Sequence, residues 1–192
     1  MSQFFARRWL RGVLVGLLLL IAGLGLWSQT SWFWRFIYPF YYRDIINRAA
    51  QDNGLSPYLV AAVVRTESAF SPLAQSHQGA RGLMQVVPDT GQWAAREMGL
   101  VGYTDDLLYD PEVNVRIGTW YLARLLRDFD GNLPAALAAY NGGILNVRLW
   151  LRQGVWDGRA ETVERVPFRE TRQFVRRVLS DYQRYQRIYG GP

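Results

Sequence analysis

The sequence predicts a mainly α-helical domain carried on a membrane stalk. Two observations carry this. From residue 42 onward, apolar residues recur at helical spacing in segments that open at proline and close at glycine. Ahead of them lies a run without charge, Gly12 to Trp27, introduced by Arg7, Arg8 and Arg11. The 192 residues suffice for one domain with a core and a short appendage, and a hydrophobic share of 49% excludes a disordered chain.

Residues 1–11 read as a cytoplasmic N-terminus and 12–27 as a transmembrane anchor. The run has 16 residues, against roughly 20 for a spanning helix. Trp9 on one side and Trp32, Phe33 and Trp34 on the other suit the two membrane interfaces, and the leading arginines set the orientation. The rest of the chain then lies on the extracytoplasmic side, in a single-pass arrangement. A cleaved signal peptide and a buried core helix are the alternatives; Leu24-Gly25-Leu26-Trp27 is a poor cleavage site, and the flanking arginines disfavour the core. Residues 28–41 form an aromatic linker.

The domain proper spans 42–192. Its first helix runs from about Tyr42 to Asn53, stopped by Gly54. Ser56-Pro57 opens the next, with Ser as N-cap and Pro at the first helical position, reaching Ser68. Residues 69–87, holding Pro72, Gly79 and Gly82, read as loop with short strands. Pro88 opens a helix that ends before Gly99, and Asp110-Pro111 opens another that ends near Gly131. Asn132 and Pro134 start a short helix that stops at Gly142-Gly143; a further piece covers Ile144 to Arg152. After Pro167, Phe174, Val178, Leu179, Tyr182 and Tyr185 follow helical spacing.

Composition narrows the chemistry. There is no cysteine, so no disulfide, thiol nucleophile or Cys-ligated metal. His77 is the only histidine, which excludes a His-rich metal site, and no nucleophile elbow accompanies it. The net charge of +6 comes from arginine alone, scattered among acids beyond the N-terminal cluster, so a nucleic-acid stripe is not expected.

One carboxylate stands out. The helix at 57–68 has an apolar stripe of Leu59, Val60, Val63 and Val64, and Glu67 continues it. Its position also ends a helix, where the macrodipole disfavours negative charge. Burial and dipole both raise a carboxyl pKa, the condition for a general acid near neutral pH. An ion pair with Arg65 or Arg81 is the competing reading, since buried Glu is usually paired. Gly79-Ala80-Arg81-Gly82-Leu83-Met84-Gln85 is a glycine-punctuated loop ending in an amide, and Ala139-Tyr140-Asn141-Gly142-Gly143 ends a helix; either alone could be an ordinary turn or cap.

Glu67-Ser68, then Gly82-Leu83-Met84-Gln85, then Ala139-Tyr140-Asn141-x-Gly143, then Glu164-x-Val166-Pro167-Phe168-x-Glu170-Thr171 stand in this order. Together they resemble the lytic transglycosylase catalytic domain, glycoside hydrolase family 23, over about 145 residues. The resemblance implies a goose-type, lysozyme-like fold with a substrate cleft. It implies Glu67 as catalytic acid/base, with Ser68, Gly82 and Met84 supporting. It implies substrate contacts from Ser76, Gln85, Tyr140, Asn141 and Glu164, with Tyr140 orienting Glu67. Glu164 and Ser76 read equally as a surface ion-pair partner and a plain loop serine. Phe174, where many relatives carry Tyr, and Val87, where Met is frequent, depart from the pattern.

The implied reaction cuts the β-1,4 bond between N-acetylmuramic acid and N-acetylglucosamine of peptidoglycan. Glu67 protonates the leaving oxygen, then takes the proton from the muramic acid C6 hydroxyl, which closes a 1,6-anhydro ring. The tethered nucleophile has an entropic advantage over water. No metal or cofactor is implied, and a monomer is expected. The rival on the same fold is a hydrolytic muramidase, which needs a second carboxylate; Asp89, Glu97, Asp105 and Asp106 are candidates by composition alone. A wall-binding protein with a degenerate site is a third class, which the joint presence of Glu67, Gln85, Tyr140 and Asn141 opposes.

Overall fold

The computed structural model describes residues 31–191, together with 16, 17, 23 and 25. The expected anchor at 12–27 therefore lies, but for four positions, outside the described residues. No helix among the described residues is long and apolar enough to cross a membrane. The chain divides into two units, 1–40 and 41–192. In the first, the segment read as an aromatic linker contains a short helix, α1 (Ser31–Ile37), where Phe33 and Trp34 meet edge to face.

The second unit is helical: α2 (Arg43–Asp52), α3 (Pro57–Ser68), α4 (Pro88–Glu97), α5 (Pro111–Asp128), α6 (Leu133–Gly142), α7 (Ile144–Arg152) and α8 (Arg169–Tyr189). Two 3-10 turns, Asp105–Tyr109 and Ala160–Arg165, join them where loop was expected. The starts obey local chemistry. Pro occupies the first turn of α3, α4, α5 and α6, where its missing N–H costs nothing. Asp110 caps α5 by accepting from Val113 N at 3.0 Å, and Asn132 caps α6 by accepting from Ala135 N at 3.1 Å. Ser56 occupies the N-cap position of α3 as expected, with no capping bond from its side chain. Its backbone carbonyl accepts the first bonds of the helix, from Leu59 N and Val60 N.

Two helices form the centre. In α3, Leu59 through Val64 are all buried, and in α6, Ala135 through Ala139 are. Helices apolar on every side belong inside a domain. Their alanines let neighbours approach closely: α8 packs on both, α5 and α7 on α6, and α2 on α3. By contrast α8 is amphipathic, burying Phe174, Val175, Val178 and Tyr185 and exposing arginines.

The expected short strands in 69–87 reduce to two antiparallel single-residue bridges, Gln75 with Arg81 and Arg81 with Val86. The segment is too tightly turned for ladders. Its chain leaves α3 through two consecutive left-handed residues, Ala69 (φ 49) and Phe70 (φ 65). Such a conformation is costly for residues with a side chain. Burial of Phe70, with its ring edge-on to Tyr41, holds it there.

Candidate active site

The cleft assembles from four stretches distant in sequence. The end of α3 brings Glu67; the loop brings Ser76, His77 and Gln85; the end of α6 brings Tyr140 and Asn141; the start of α8 brings Arg169, Glu170 and Thr171. Its volume is about 820 Å³.

Glu67 sits in the lining with its residue surface mostly covered. Both competing ion pairs are absent. Arg65 turns to Asp181 on α8 at 3.3 Å, and Arg81 to Asp106 at 3.0 Å. Among the described residues no cation or hydrogen-bond donor meets the Glu67 carboxyl. Burial first, and the nearby Glu170 carboxylate second, push its pKa from 4.5 up to about 8. At neutral pH the group holds its proton.

The loop is fixed to the helices by buried polar contacts. Ser68 Oγ lies 2.8 Å from Leu83 O and 3.1 Å from Val64 O, so its hydroxyl ties the end of α3 to the loop. Asn114, fully buried on α5, accepts from Met84 N at 2.7 Å and donates to Arg81 O at 2.8 Å and Leu108 O at 2.7 Å. Gly82 (φ 75) passes so close that a Cβ there would lie 2.1 Å from Leu108 O and 2.3 Å from Asn114 Nδ2. Met84 is buried against Gly118, where an added Cβ would meet its sulfur at 2.6 Å.

Gln85 adopts φ 49, and its amide donates to Gly82 O at 2.9 Å and Ala74 O at 3.1 Å. Both amide hydrogens brace the loop, which leaves its carbonyl oxygen as the group with acceptor capacity. Ser76 Oγ accepts from Ala80 N at 3.1 Å. Asn141 Oδ1 accepts from Thr171 Oγ1 at 2.8 Å, joining α6 to α8 at the cleft wall.

Two expectations need correction. Tyr140 donates to Met84 O at 2.8 Å and makes no hydrogen bond to Glu67. It holds the loop from the end of α6, stacked on Phe174 with ring centroids 6.2 Å apart. Its hydroxyl is close enough to Glu67 for that carboxylate to help raise its pKa, after burial. Glu164 does not line the cleft. It is exposed on the Ala160–Arg165 turn, paired with Arg176 and, at 3.8 Å, with Arg172, because the turn folds back along α8. The second carboxylate of the cleft is Glu170, six residues on, in the first turn of α8. Asp89, Glu97, Asp105 and Asp106 all lie outside the cleft lining.

Comparison with known proteins bears on this arrangement. The family profile described as the transglycosylase SLT domain matches residues 44–162. The chain belongs to the SLT transglycosylase family. The soluble lytic murein transglycosylase of Escherichia coli K12 is 37% identical over 158 residues, covering 80% of this chain and 24% of that protein. The membrane-bound lytic murein transglycosylase F of Desulfosudis oleivorans is 42% identical over 113 residues, covering 56% and 23%. Among solved structures, the 70-kDa soluble lytic transglycosylase of E. coli superposes with a TM-score of 0.77 at 34% identity, covering 86% of this chain and 26% of that one. An inactive Glu→Gln variant of lytic transglycosylase Slt from Pseudomonas aeruginosa gives 0.75 at 36%, covering 82% and 26%. This chain thus spans about a quarter of the length of the curated relatives it first matches. Within the SLT fold, the Glu67 helix, the Gly82–Gln85 loop and the Tyr140–Asn141 helix end are the parts brought to one cleft.

Proposed function

We propose that this chain is a peptidoglycan lytic transglycosylase, cleaving the bond between N-acetylmuramic acid and N-acetylglucosamine and leaving a 1,6-anhydromuramic end. The observation that carries the reading is Glu67: a carboxyl whose pKa burial raises to about 8, unpaired among the described residues, in a cleft of about 820 Å³. As an acid it delivers its proton to the leaving oxygen while the glycosidic bond breaks. As the resulting carboxylate it accepts the proton of the C6 hydroxyl while that oxygen bonds to C1. The proton count on Glu67 is restored, and no water is consumed. Ser76, Gln85, Tyr140 and Asn141 bound the sugars, with Ser68, Gly82 and Met84 holding the loop. Arg7, Arg8, Arg11 and the uncharged run 12–27 support anchoring in the cytoplasmic membrane with the domain outside.

Mass spectrometry of products from purified peptidoglycan tests the reaction. Anhydro-ended muropeptides, one water lighter than reducing ends, are expected. Reducing ends alone would replace this reading with hydrolysis. Glu170 is the feature that favours the second reading, because hydrolytic glycosidases use two carboxylates.

Glu170 also yields a pH prediction. General-acid catalysis needs protonated Glu67, so activity falls as pH rises through about 8. In Glu170→Gln the like charge is gone, and the alkaline limb of kcat/KM moves to lower pH while burial keeps it above the ordinary carboxylate range. An unmoved limb would show that Glu170 exerts no field on Glu67.

A further inference from the structure

Helix α8 starts in the cleft and leaves it, and its solvent face is strongly basic. At 3.6 residues per turn, Arg169, Arg176, Arg184 and Arg187 fall within one 80° sector of the helix. Arg177 borders that sector, and all five are exposed. A rise of 1.5 Å per residue puts Arg187 about 27 Å from Arg169. The acids of the helix are engaged elsewhere. Asp181 turns inward to Arg65, and Glu170 belongs to the cleft. The facing Glu164 is shared by Arg172 and Arg176, leaving a net positive pair.

The charge is also segregated. Residues 165–187 carry seven arginines and two acids, whereas 105–130 carry six acids and three arginines.

We propose that the outer face of α8 is a binding track for the carboxylates of peptidoglycan stem peptides, extending recognition beyond the cleft that holds the glycan. The proposal rests on the reading of the substrate as peptidoglycan. Continuity decides the occupant: Arg169 belongs both to the cleft lining and to the stripe, so the track begins at the cleft that holds the glycan. Guanidinium groups suit carboxylates because the planar fork can bind both oxygens.

The test uses the full chain with Glu67→Gln, so that the wall stays intact, and measures binding to insoluble peptidoglycan, to glycan strands stripped of stems, and to phosphatidylglycerol vesicles. Arg184→Glu with Arg187→Glu should bind intact wall about tenfold more weakly at low salt, with the difference fading at high salt. Stripped strands should show no difference. Arg116→Glu with Arg127→Glu on α5 changes net charge equally and should leave wall binding unaltered. Arg184→Gln with Arg187→Gln, a milder pair checked by thermal melting, covers the case in which the reversal unfolds the chain. Equal loss in the α5 control, equal loss on stripped strands, or a loss confined to the vesicles overturns the track. Failure of the peptidoglycan reading looks different: wild-type protein then leaves purified wall uncut, and the parent Glu67→Gln chain does not bind it.

Discussion

Glu67→Gln should lose at least a thousandfold in kcat on purified peptidoglycan and become more stable at pH 8. The rate loss follows from the two proton transfers assigned to one group, when a single general acid or base contributes roughly 10²–10⁴-fold. The amide keeps the carboxyl's shape, and no hydrogen bond or ion pair described at Glu67 is lost. The stability gain follows from linkage. Below pH 4.5 the carboxyl is protonated folded or unfolded, and it contributes no pH dependence. Between 4.5 and about 8 the folded chain retains a proton that the unfolded chain releases, so stability falls as pH rises across that window. At about 1.4 kcal/mol per unit, and discounted for partial solvent access, the penalty reaches about 2–4 kcal/mol at pH 8. Thermal melting of wild type and variant at pH 4 and pH 8 measures it. Equal melting differences at the two pH values would show that Glu67 titrates normally, and retained activity would remove it from the chemistry.

Gly82→Ala should destabilise the domain by about 4 kcal/mol or more. Part of this is the left-handed backbone at φ 75, worth roughly 1–2 kcal/mol for a residue with a Cβ. The larger part is steric. The new methyl would sit 2.1 Å from a backbone oxygen and 2.3 Å from Asn114 Nδ2, neither of which is the loose end of a side chain. Moving Asn114 strands some of its three backbone partners, two of them buried, at about 1–3 kcal/mol for each buried one. Gly79→Ala is the matched control: φ is 80, but no atom lies within 4 Å of the added Cβ, so only the backbone cost of about 1 kcal/mol remains. Denaturant unfolding compares the two, and similar losses would refute the steric argument.

Helix ends were legible because they rest on local chemistry. Pro57, Pro88, Pro111 and Pro134 announce starts, and Asp110 and Asn132 cap as their side chains suggest. Glu67 was legible as a misplaced acid because the 3.6-residue period places it on the stripe of Val60, Val63 and Val64. The choice between ion pair and free acid was not legible. It depends on α8 offering Asp181 to Arg65 and on the 105–109 turn offering Asp106 to Arg81. The same limit explains Glu164 and Glu170. Both flank Pro167, and only the fold-back of the preceding turn onto α8 sends one to arginines and the other to the cleft. Asn114 gave no signal at all: its three partners are 30, 33 and 6 residues away.

The first turn of α8 supplies Glu170, and the helix packs along α3, so part of what holds a proton on Glu67 comes from a residue a hundred positions later. With α8 undocked, the Glu170 contribution is absent and the Glu67 pKa lies closer to its ordinary value. The full upward shift at Glu67 is therefore complete only when the far end of the domain has docked.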